Sequence, residues 1–269
     1  MKTFLVPVDF SDTSKNAARY AAQLASGIQD AQIILYNASD KITSISEGND
    51  GSRKSVSAKE LDILKTELNA LGNTQITFIA EEGSFVSNLE KYVSNTSIDL
   101  IVMGITGSSR LTQIFMGTNT LNVIRHVNVP VMIIPPDARF SSIKNVLLIS
   151  DFKDVANTTP FKEIGATLDL FKPNLHIINV DSEHYIELTE DYKKEKAVMV
   201  DHFGKYNPEF SFLRLFDFLD GVNTFVETKN IDAILTVPKK HSFLSALFQV
   251  SHTKKLAYHS HVPIIAVHQ

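Results

Sequence analysis

The chain has 269 residues, 43% of them hydrophobic and 21% charged, which is room for one large or two ordinary soluble domains with a full core. A formal net charge of −4 leaves no basic surface to make nucleic acid a primary partner, and zero cysteines exclude a disulfide framework, thiol catalysis and thiolate-held zinc. Met1-Lys2-Thr3-Phe4 runs straight into a strand-like segment and no apolar run nears the ~18 residues of a membrane span, so a cytoplasmic protein without signal peptide or membrane partner is expected.

"TFLVPVD" reads as a short buried strand. "SDTSKNAARYAAQLASG" follows as an alanine-rich helix, with Ser or Asp placed to cap it and Gly27 to stop it. "AQIILYNA" is a second buried strand, and Ser39 to Ser55, with Gly48 and Gly51, reads as a polar loop. Leu61, Leu64, Leu68 and Leu71 recur at helical spacing before Gly72. "TQITFIAE" is a third strand, "SFVSNLEKYVSN" a third helix, "DLIVMG" a fourth strand, Thr118 to Val127 a fourth helix and "VPVMIIP" a fifth strand. Near-continuous apolar strands separated by helices imply a parallel sheet covered on both faces. In such a sheet a ligand lies beyond the carboxyl ends of the strands, where Asp9 and Gly104 both fall.

The pattern is then written again. "KTFLVPVDF" (2–10) returns as "KNVLLISDF" (144–152), "IDLIVMG" (98–104) as "IDAILTV" (231–237), and "VPVMII" (129–134) as "VPIIAV" (262–267). The last two pairs share one offset, so the stretch between them aligns without a gap. Two homologous five-stranded α/β domains are expected, 1–138 and 143–269, joined through the linker-like "PPDARFSS". Second-copy strands are expected at 145–151, 175–180, 210–216, 233–237 and 264–268. A long helix around 187–203 should carry Leu188, Tyr192, Met199 and Phe203 on one face, with "YKKEKAV" exposed and "EFSFLRLF" as core strand.

"MGITGSSRLTQIFMGTNT" (103–120) sets Gly104, Gly107 and Gly117 at a spacing that is neither GxxxxGK[ST] nor GxGxxG. Gly117-Thr118 opens a helix whose free N–H groups and positive dipole end suit an anion. Gly104 and Gly107 would bare backbone at the strand exit, and Arg110 could add charge. On spacing alone, a turn followed by a helix cap explains the same residues equally well.

Gly-x2-Gly-x9-Gly-[Ser/Thr] with Met before the first Gly, the "NVPVMIIP" strand behind it and the opening "LVPVDFSDTSKNA" together resemble the universal stress protein family, in its tandem-domain form. The resemblance covers nearly the whole chain. It implies a Rossmann-like, adenine nucleotide α-hydrolase-like fold and a stress-response module that binds adenine nucleotide (ATP, or AMP or ADP), often as a dimer. It places the ribose or a phosphate-bound Mg2+ on Asp9, the adenosine pocket on Pro7, Val8, Phe10 and Ser11, and the adenine edge on Ala38, where Asn37-Ala38 stands for the family's His-Val. It places the phosphates among Met103, Gly104, Gly107, Arg110, Gly117, Thr118, Asn119 and Thr120.

The second copy departs from this motif. Gly104 becomes Val237, Gly107 becomes Lys240 and Gly117 becomes Val250, with only Ser251 opposite Thr118. Valine adds β-branched bulk and Pro238 removes an N–H, so nucleotide is expected in the first domain only. The degenerate copy is expected to act as a built-in partner, its fifth strand beside that of the first in a pseudo-dimer.

Eight of the nine histidines follow residue 140, but His252, His259, His261 and His268 lack a companion carboxylate cluster, so no metal site is expected there. Beyond Asp9, and Asp12 nearby, there is no evident general base and no Walker lysine, so no catalytic residue is assigned. Three readings stand: an ATP-binding regulatory module with an unknown protein partner, a slow ATPase or phosphotransfer protein, and an interaction protein that binds no nucleotide.

Overall fold

The computed structural model of the chain describes residues 1–39, 53–105, 118–180, 189–213, 218–237 and 262–268. The chain forms two compact units, Met1–Phe140 and Ser141–Gln269. No helix among the described residues is long and apolar enough to cross a membrane.

The first unit alternates β1 (Lys2–Pro7), α1 (Asp12–Ser26), β2 (Ala31–Ser39), α2 (Arg53–Asn69), β3 (Gln75–Glu82), α3 (Phe85–Asn95), β4 (Leu100–Gly104), α4 (Thr118–His126) and β5 (Val131–Ile134). The strands are parallel, in the order β3-β2-β1-β4-β5. Strand order therefore reverses between β1 and β4. Right-handed crossovers put α1 and α2 on one face and α3 and α4 on the other, and accordingly α1 packs on α2 and α3 on α4. Covered on both sides, Phe4, Leu5, Ile101 and Val102 are wholly buried.

Ser11 caps α1, its hydroxyl accepting the Ser14 N–H at 3.2 Å, and Gly27 ends the helix. The buried residues of α1 are Ala17, Ala18, Ala21, Ala22 and Ala25 together with Ser14, Tyr20 and Leu24. On α2, Leu61, Leu64 and Leu68 are buried, whereas Leu71 lies past the last turn, 40% exposed, and drops out of the expected stripe. Of the expected polar loop 39–55, residues 53–55 are already helix and 40–52 lie outside the described residues.

The stretch after β5, expected as a linker, is docked on α1. Asn16 donates from Nδ2 to the carbonyls of Pro135 (3.3 Å) and Ala138 (3.1 Å), and Arg139 donates back to its Oδ1 at 2.9 Å. Ala138 is fully buried, and Phe140 meets Tyr20 edge-on at 5.3 Å.

The second unit repeats the order as β10-β9-β6-β7-β8, again parallel, from β6 (Asn145–Ser150), β7 (Asn174–Val180), β8 (Glu209–Leu213), β9 (Ala233–Thr236) and β10 (Ile264–Ala266). Its helices are α5 (Val155–Thr158), α6 (Phe161–Phe171), α7 (Glu190–Phe203) and α8 (Phe218–Thr228). Tyr192, Met199 and Phe203 form the buried side of α7, as their spacing predicts, although Tyr192 belongs to the stretch read as exposed; Leu188 lies outside the described residues. "EFSFL" is an edge strand, with Phe210 and Phe212 half-buried, because it has a neighbour on one side only.

The repeated "Ile-Asp" has a physical job. Asp99, just before β4, accepts the Thr3 N–H at 2.8 Å, and Asp232, just before β9, accepts the N–H groups of Lys144 (2.7 Å) and Asn145 (2.8 Å). Each carboxylate satisfies backbone donors where the central strand of its sheet begins. The repeated "Val-Pro" works alike: the carbonyls of Pro130 and Pro263 accept from Ile101 and Ile234, both at 2.9 Å.

One close approach separates the units. A Cβ on Gly104 would lie 2.9 Å from the Thr13 carbonyl oxygen and 3.0 Å from its carbon. The first turn of α1 thus rests directly on the end of β4, where only glycine fits. The second unit has Val237 there, and its helical segment after β6 is divided into α5 and α6 on either side of Thr159-Pro160.

Asp99→Ala strands the N–H of Thr3, which is 5% exposed, and should lower stability by about 1–3 kcal/mol. Lys2→Ala removes only the exposed partner of the same carboxylate and should change stability by less than about 1 kcal/mol; urea midpoints at unchanged m compare the two. Gly104→Ala should destabilise by about 1–3 kcal/mol through overpacking, before any ligand is added.

Candidate functional site

β1 leaves the sheet through buried Pro7 and Val8 into exposed Asp9. Phe10 then takes φ 64°, a left-handed conformation rare for a bulky residue. That turn brings the Asp9 Oδ1 within 3.1 Å of the Ser11 N–H and 2.5 Å of its hydroxyl. Asp9 is therefore held in an Asx turn at the N-terminus of α1.

Beside it, at the end of β2, Asn37 is 6% exposed. Its Nδ2 donates to the Val8 carbonyl at 2.7 Å, tying the two strand ends together, while its Oδ1 is buried without a hydrogen-bond partner. Across the strand-order reversal, β4 ends in buried Met103 and Gly104. Thr120, in the first turn of α4 and 2% exposed, donates its hydroxyl to the Gly104 carbonyl at 3.1 Å. This fastens α4 to β4 and commits the Thr120 proton to the scaffold.

These strand ends close on one cleft, lined by Pro7, Val8, Asp9, Ser14, Asn37, Ala38, Phe85, Met103, Gly104, Asn119 and Thr120. The wall is mostly apolar with a few convergent polar groups, the make-up of a small-molecule site. Eight of the residues singled out from sequence line it: Pro7, Val8, Asp9, Ala38, Met103, Gly104, Asn119 and Thr120. Phe10, Ser11 and Thr118 stand next to lining residues without forming the wall, and Gly107, Arg110 and Gly117 lie outside the described residues. Gly104 lines the cleft, and the space of its missing side chain is filled by Thr13 of α1.

Ser14, Asn37 and Phe85 were not assigned to the site from sequence. Ser14 reads only as part of a helix start. Asn37 was visible as a polar residue in an otherwise apolar strand. Phe85 opens α3 at the same carboxyl end of the sheet, and nothing local in the sequence shows that this residue joins the wall of the cleft.

The second unit keeps the turn but fills its surroundings. Asp151 accepts the Lys153 N–H at 3.2 Å, with Phe152 at φ 52°. Phe152 stacks on Tyr192 at 4.9 Å and meets Phe210 edge-on at 6.2 Å. Burial pushes the Tyr192 hydroxyl up to about 12. α7 also sends Glu195 to accept the Val155 N–H at 2.8 Å, so it holds α5 in place. Asn179, opposite Ser150 in the β6–β7 register, corresponds to Asn37, and its Oδ1 is likewise buried and unpartnered. Val237 ends the described chain there, while Lys240, Val250, Ser251 and the histidines 252, 259 and 261 lie outside it. His268 is held below its usual pKa by burial. Among the described residues no three His, Asp or Glu side chains come together to hold a metal.

The universal stress protein family model matches residues 1–135. A universal stress protein of Methanocaldococcus jannaschii is 27% identical over 154 residues, which is 49% of this chain and 94% of that protein. The crystal structure of a universal stress protein from Archaeoglobus fulgidus DSM 4304 superposes at a TM-score of 0.69 with 19% identity, covering 99% of this chain and 98% of its own. A universal stress protein solved in complex with cAMP is 25% identical over 49% of this chain and 96% of its own, at a TM-score of 0.41. With the family model spanning half the chain and the two-unit fold matched end to end, the chain belongs to the universal stress protein family.

Proposed function

We propose that the first unit binds an adenine nucleotide in the cleft at its β1–β4 reversal and that the protein is a stress-response module regulated by that ligand. The observation that carries this reading is the cleft itself. It joins the first strand–loop (Pro7, Val8, Asp9), the end of β2 (Ala38), the end of β4 (Met103, Gly104) and the first turn of α4 (Asn119). This is the crevice in which open parallel sheets bind ligands, and α4 begins beside it with its unpaired N–H groups.

In this reading the apolar lips formed by Pro7, Val8, Ala38 and Met103 take the adenosine. Asp9, fixed by Ser11, faces the ribose or a Mg2+ carried by the phosphates. Thr118 and Asn119 offer backbone N–H groups to the phosphates, together with Gly107, Arg110 and Gly117 of the motif loop. Thr120 and Gly104 build the scaffold under them. The ligand is held by this unit alone, since the second unit has Val237 at the strand end and its turn phenylalanine under Tyr192. The protein is a cytoplasmic binding module, and hydrolysis of the ligand is at most slow.

Denaturing the purified protein and identifying released nucleotide by chromatography tests the reading directly. ATP added at about a hundred times its Kd should stabilise the first unit by about 2.7 kcal/mol, seen as a thermal shift of several degrees. Release of nothing together with no shift would rule out the binding module. Gly117→Val installs the second unit's residue and should abolish binding with the unfolding midpoint of the free protein unchanged. ATP turnover that disappears in Asp9→Asn would instead favour a slow ATPase.

A further inference from the structure

We propose that the outer edge of β3 is a docking surface for an extended segment of another protein, one that carries arginine or lysine. The groove beside this edge shares no lining residue with the proposed nucleotide cleft.

A strand at the end of a sheet leaves alternate N–H and C=O groups without ladder partners. Proteins usually blunt such an edge with a short strand, a proline, a bulge or a lysine. Among the described residues β3 has a strand neighbour on one side only, and it uses none of these devices. It runs for eight residues and pairs with β2 in unbroken register, from Gln32–Gln75 to Ser39–Glu82. Its sequence, QITFIAEE, contains neither proline nor lysine. Phe78, Ile79 and Ala80 are left half-buried, an apolar surface that a further strand would cover. Lys65 of α2 lies 5.9 Å from the Phe78 ring, on the sheet face away from Glu81. The end strand of the second unit makes the contrast. β8 has five residues, its Glu209 accepts from Lys229 at 2.6 Å and lies 3.1 Å from His176, and Lys196 stands 4.8 Å over its Phe210 ring.

The groove indicates the chemistry of the occupant. It is lined by Glu81 and Glu82 at the end of β3 and by Asn88, Lys91, Tyr92 and Asn95, which share one face of α3. Both amides have committed donors, Asn88 Nδ2 to the Glu82 carbonyl at 3.1 Å and Asn95 Nδ2 to the Lys91 carbonyl at 2.7 Å. What they offer an incoming group is oxygen. Wholly buried Tyr36 donates its hydroxyl to Glu81 Oε2 at 2.6 Å, which fixes that carboxylate at the groove. Burial and this hydrogen bond push the Tyr36 hydroxyl up, so it stays the donor and Glu81 the acceptor. Two carboxylates and two amide oxygens face the single ammonium of Lys91, and Tyr92 adds a half-buried ring. A guanidinium or ammonium on a flexible stem matches that wall. Strand addition delivers it, since backbone bonds hold the segment while its alternate side chains turn to one face. A second copy of this chain pairing through its own β3 would bring a strand without a cation.

The test uses the full chain and a fluorescein-labelled octapeptide alternating valine with arginine, titrated by anisotropy. Two companions have glutamate for arginine or a proline at the centre. The arginine peptide should bind with a Kd of about 10–100 μM, and each companion at least about tenfold more weakly. Glu81→Gln combined with Glu82→Gln, which keeps an acceptor for the Tyr36 hydroxyl, should weaken the arginine peptide about five- to tenfold. Glu209→Gln in β8 should leave its affinity unchanged. Bound peptide should slow amide hydrogen exchange in 75–82 but not in 209–213. No binding of the arginine peptide at about 1 mM would overturn the proposal. Equal binding of the proline peptide would overturn strand addition in favour of plain charge attraction. Equal binding of the glutamate peptide, or an unchanged affinity in the double variant, would overturn the basic partner. Protection elsewhere than 75–82 would overturn the surface. A dimer in sedimentation whose formation slows exchange in 75–82 without peptide would overturn the partner in favour of a second copy.

Discussion

The geometry of the first unit depends on how closely the first turn of α1 lies against the end of β4. That contact exists because Gly104 has no side chain: its Cβ would fall 2.9 Å from the Thr13 carbonyl oxygen. Backbone atoms of a capped helix turn cannot move aside as a flexible side chain can. The approach fixes where α1 begins, and Ser11, its cap, is the residue that holds Asp9. From the other side, the Gly104 carbonyl receives the Thr120 hydroxyl and so seats α4. The missing side chain at residue 104 thus admits α1, and the backbone carbonyl of the same residue seats α4, so two helix N-termini meet at one strand end.

The second unit shows what becomes of the architecture without that contact. Val237 stands at the strand end, the helical segment after β6 is split into α5 and α6, and α7 takes over the work of bracing the split segment through Glu195. Yet the strand order, the Asp232 and Pro263 backbone contacts and the Asp151 turn all persist. Sheet and site are thus separable. The sheet is held by apolar strands and by two or three side chains at strand starts, whereas the site requires a close approach at a strand end.

This separation also explains what could be read from the sequence. Strands such as "TFLVPVD" and "DLIVMG" announce themselves because burial on both faces demands continuous apolar runs, and the doubled pattern exposes both sheets at once. Leu61, Leu64 and Leu68 show their helix face by spacing, but spacing cannot say that the chain turns before Leu71. Nor can it say that "PPDARFSS" docks on α1, since the bonds from Asn16 to Pro135 and Ala138 span more than a hundred residues of chain. In the cleft, the residues on strand ends and loops were legible because parallel-sheet topology fixes where those ends meet. Phe85 was not, because its place depends on where α3 packs. Gly104 was legible as important from its place at a strand end, but that the space of its missing side chain is taken by Thr13 of α1 depends on how the helix packs and could not be read from spacing.

The persistence of the Asp-Phe turn in both units bears on what that dipeptide means. Phe10 and Phe152 both adopt left-handed backbone, at φ 64° and 52°, and a conformation of that kind costs on the order of 1–3 kcal/mol unless the surroundings over-determine it. Strain at a strand end is often taken as the mark of a working site. Here the second unit has the same strain under a stacked Tyr192 ring, so the turn is a device of the scaffold: it redirects the chain from the end of the central strand towards the following helix. The aspartate supplies the acceptor that makes the redirection tolerable, through Ser11 in one unit and Lys153 in the other. What can differ between two such turns is the space above them. In the first unit that space is bounded by Ala38, Met103 and Phe85, leaving a cleft; in the second, the turn phenylalanine itself lies against an aromatic ring from α7. Function in this fold is therefore decided less by the aspartate than by what packs around it.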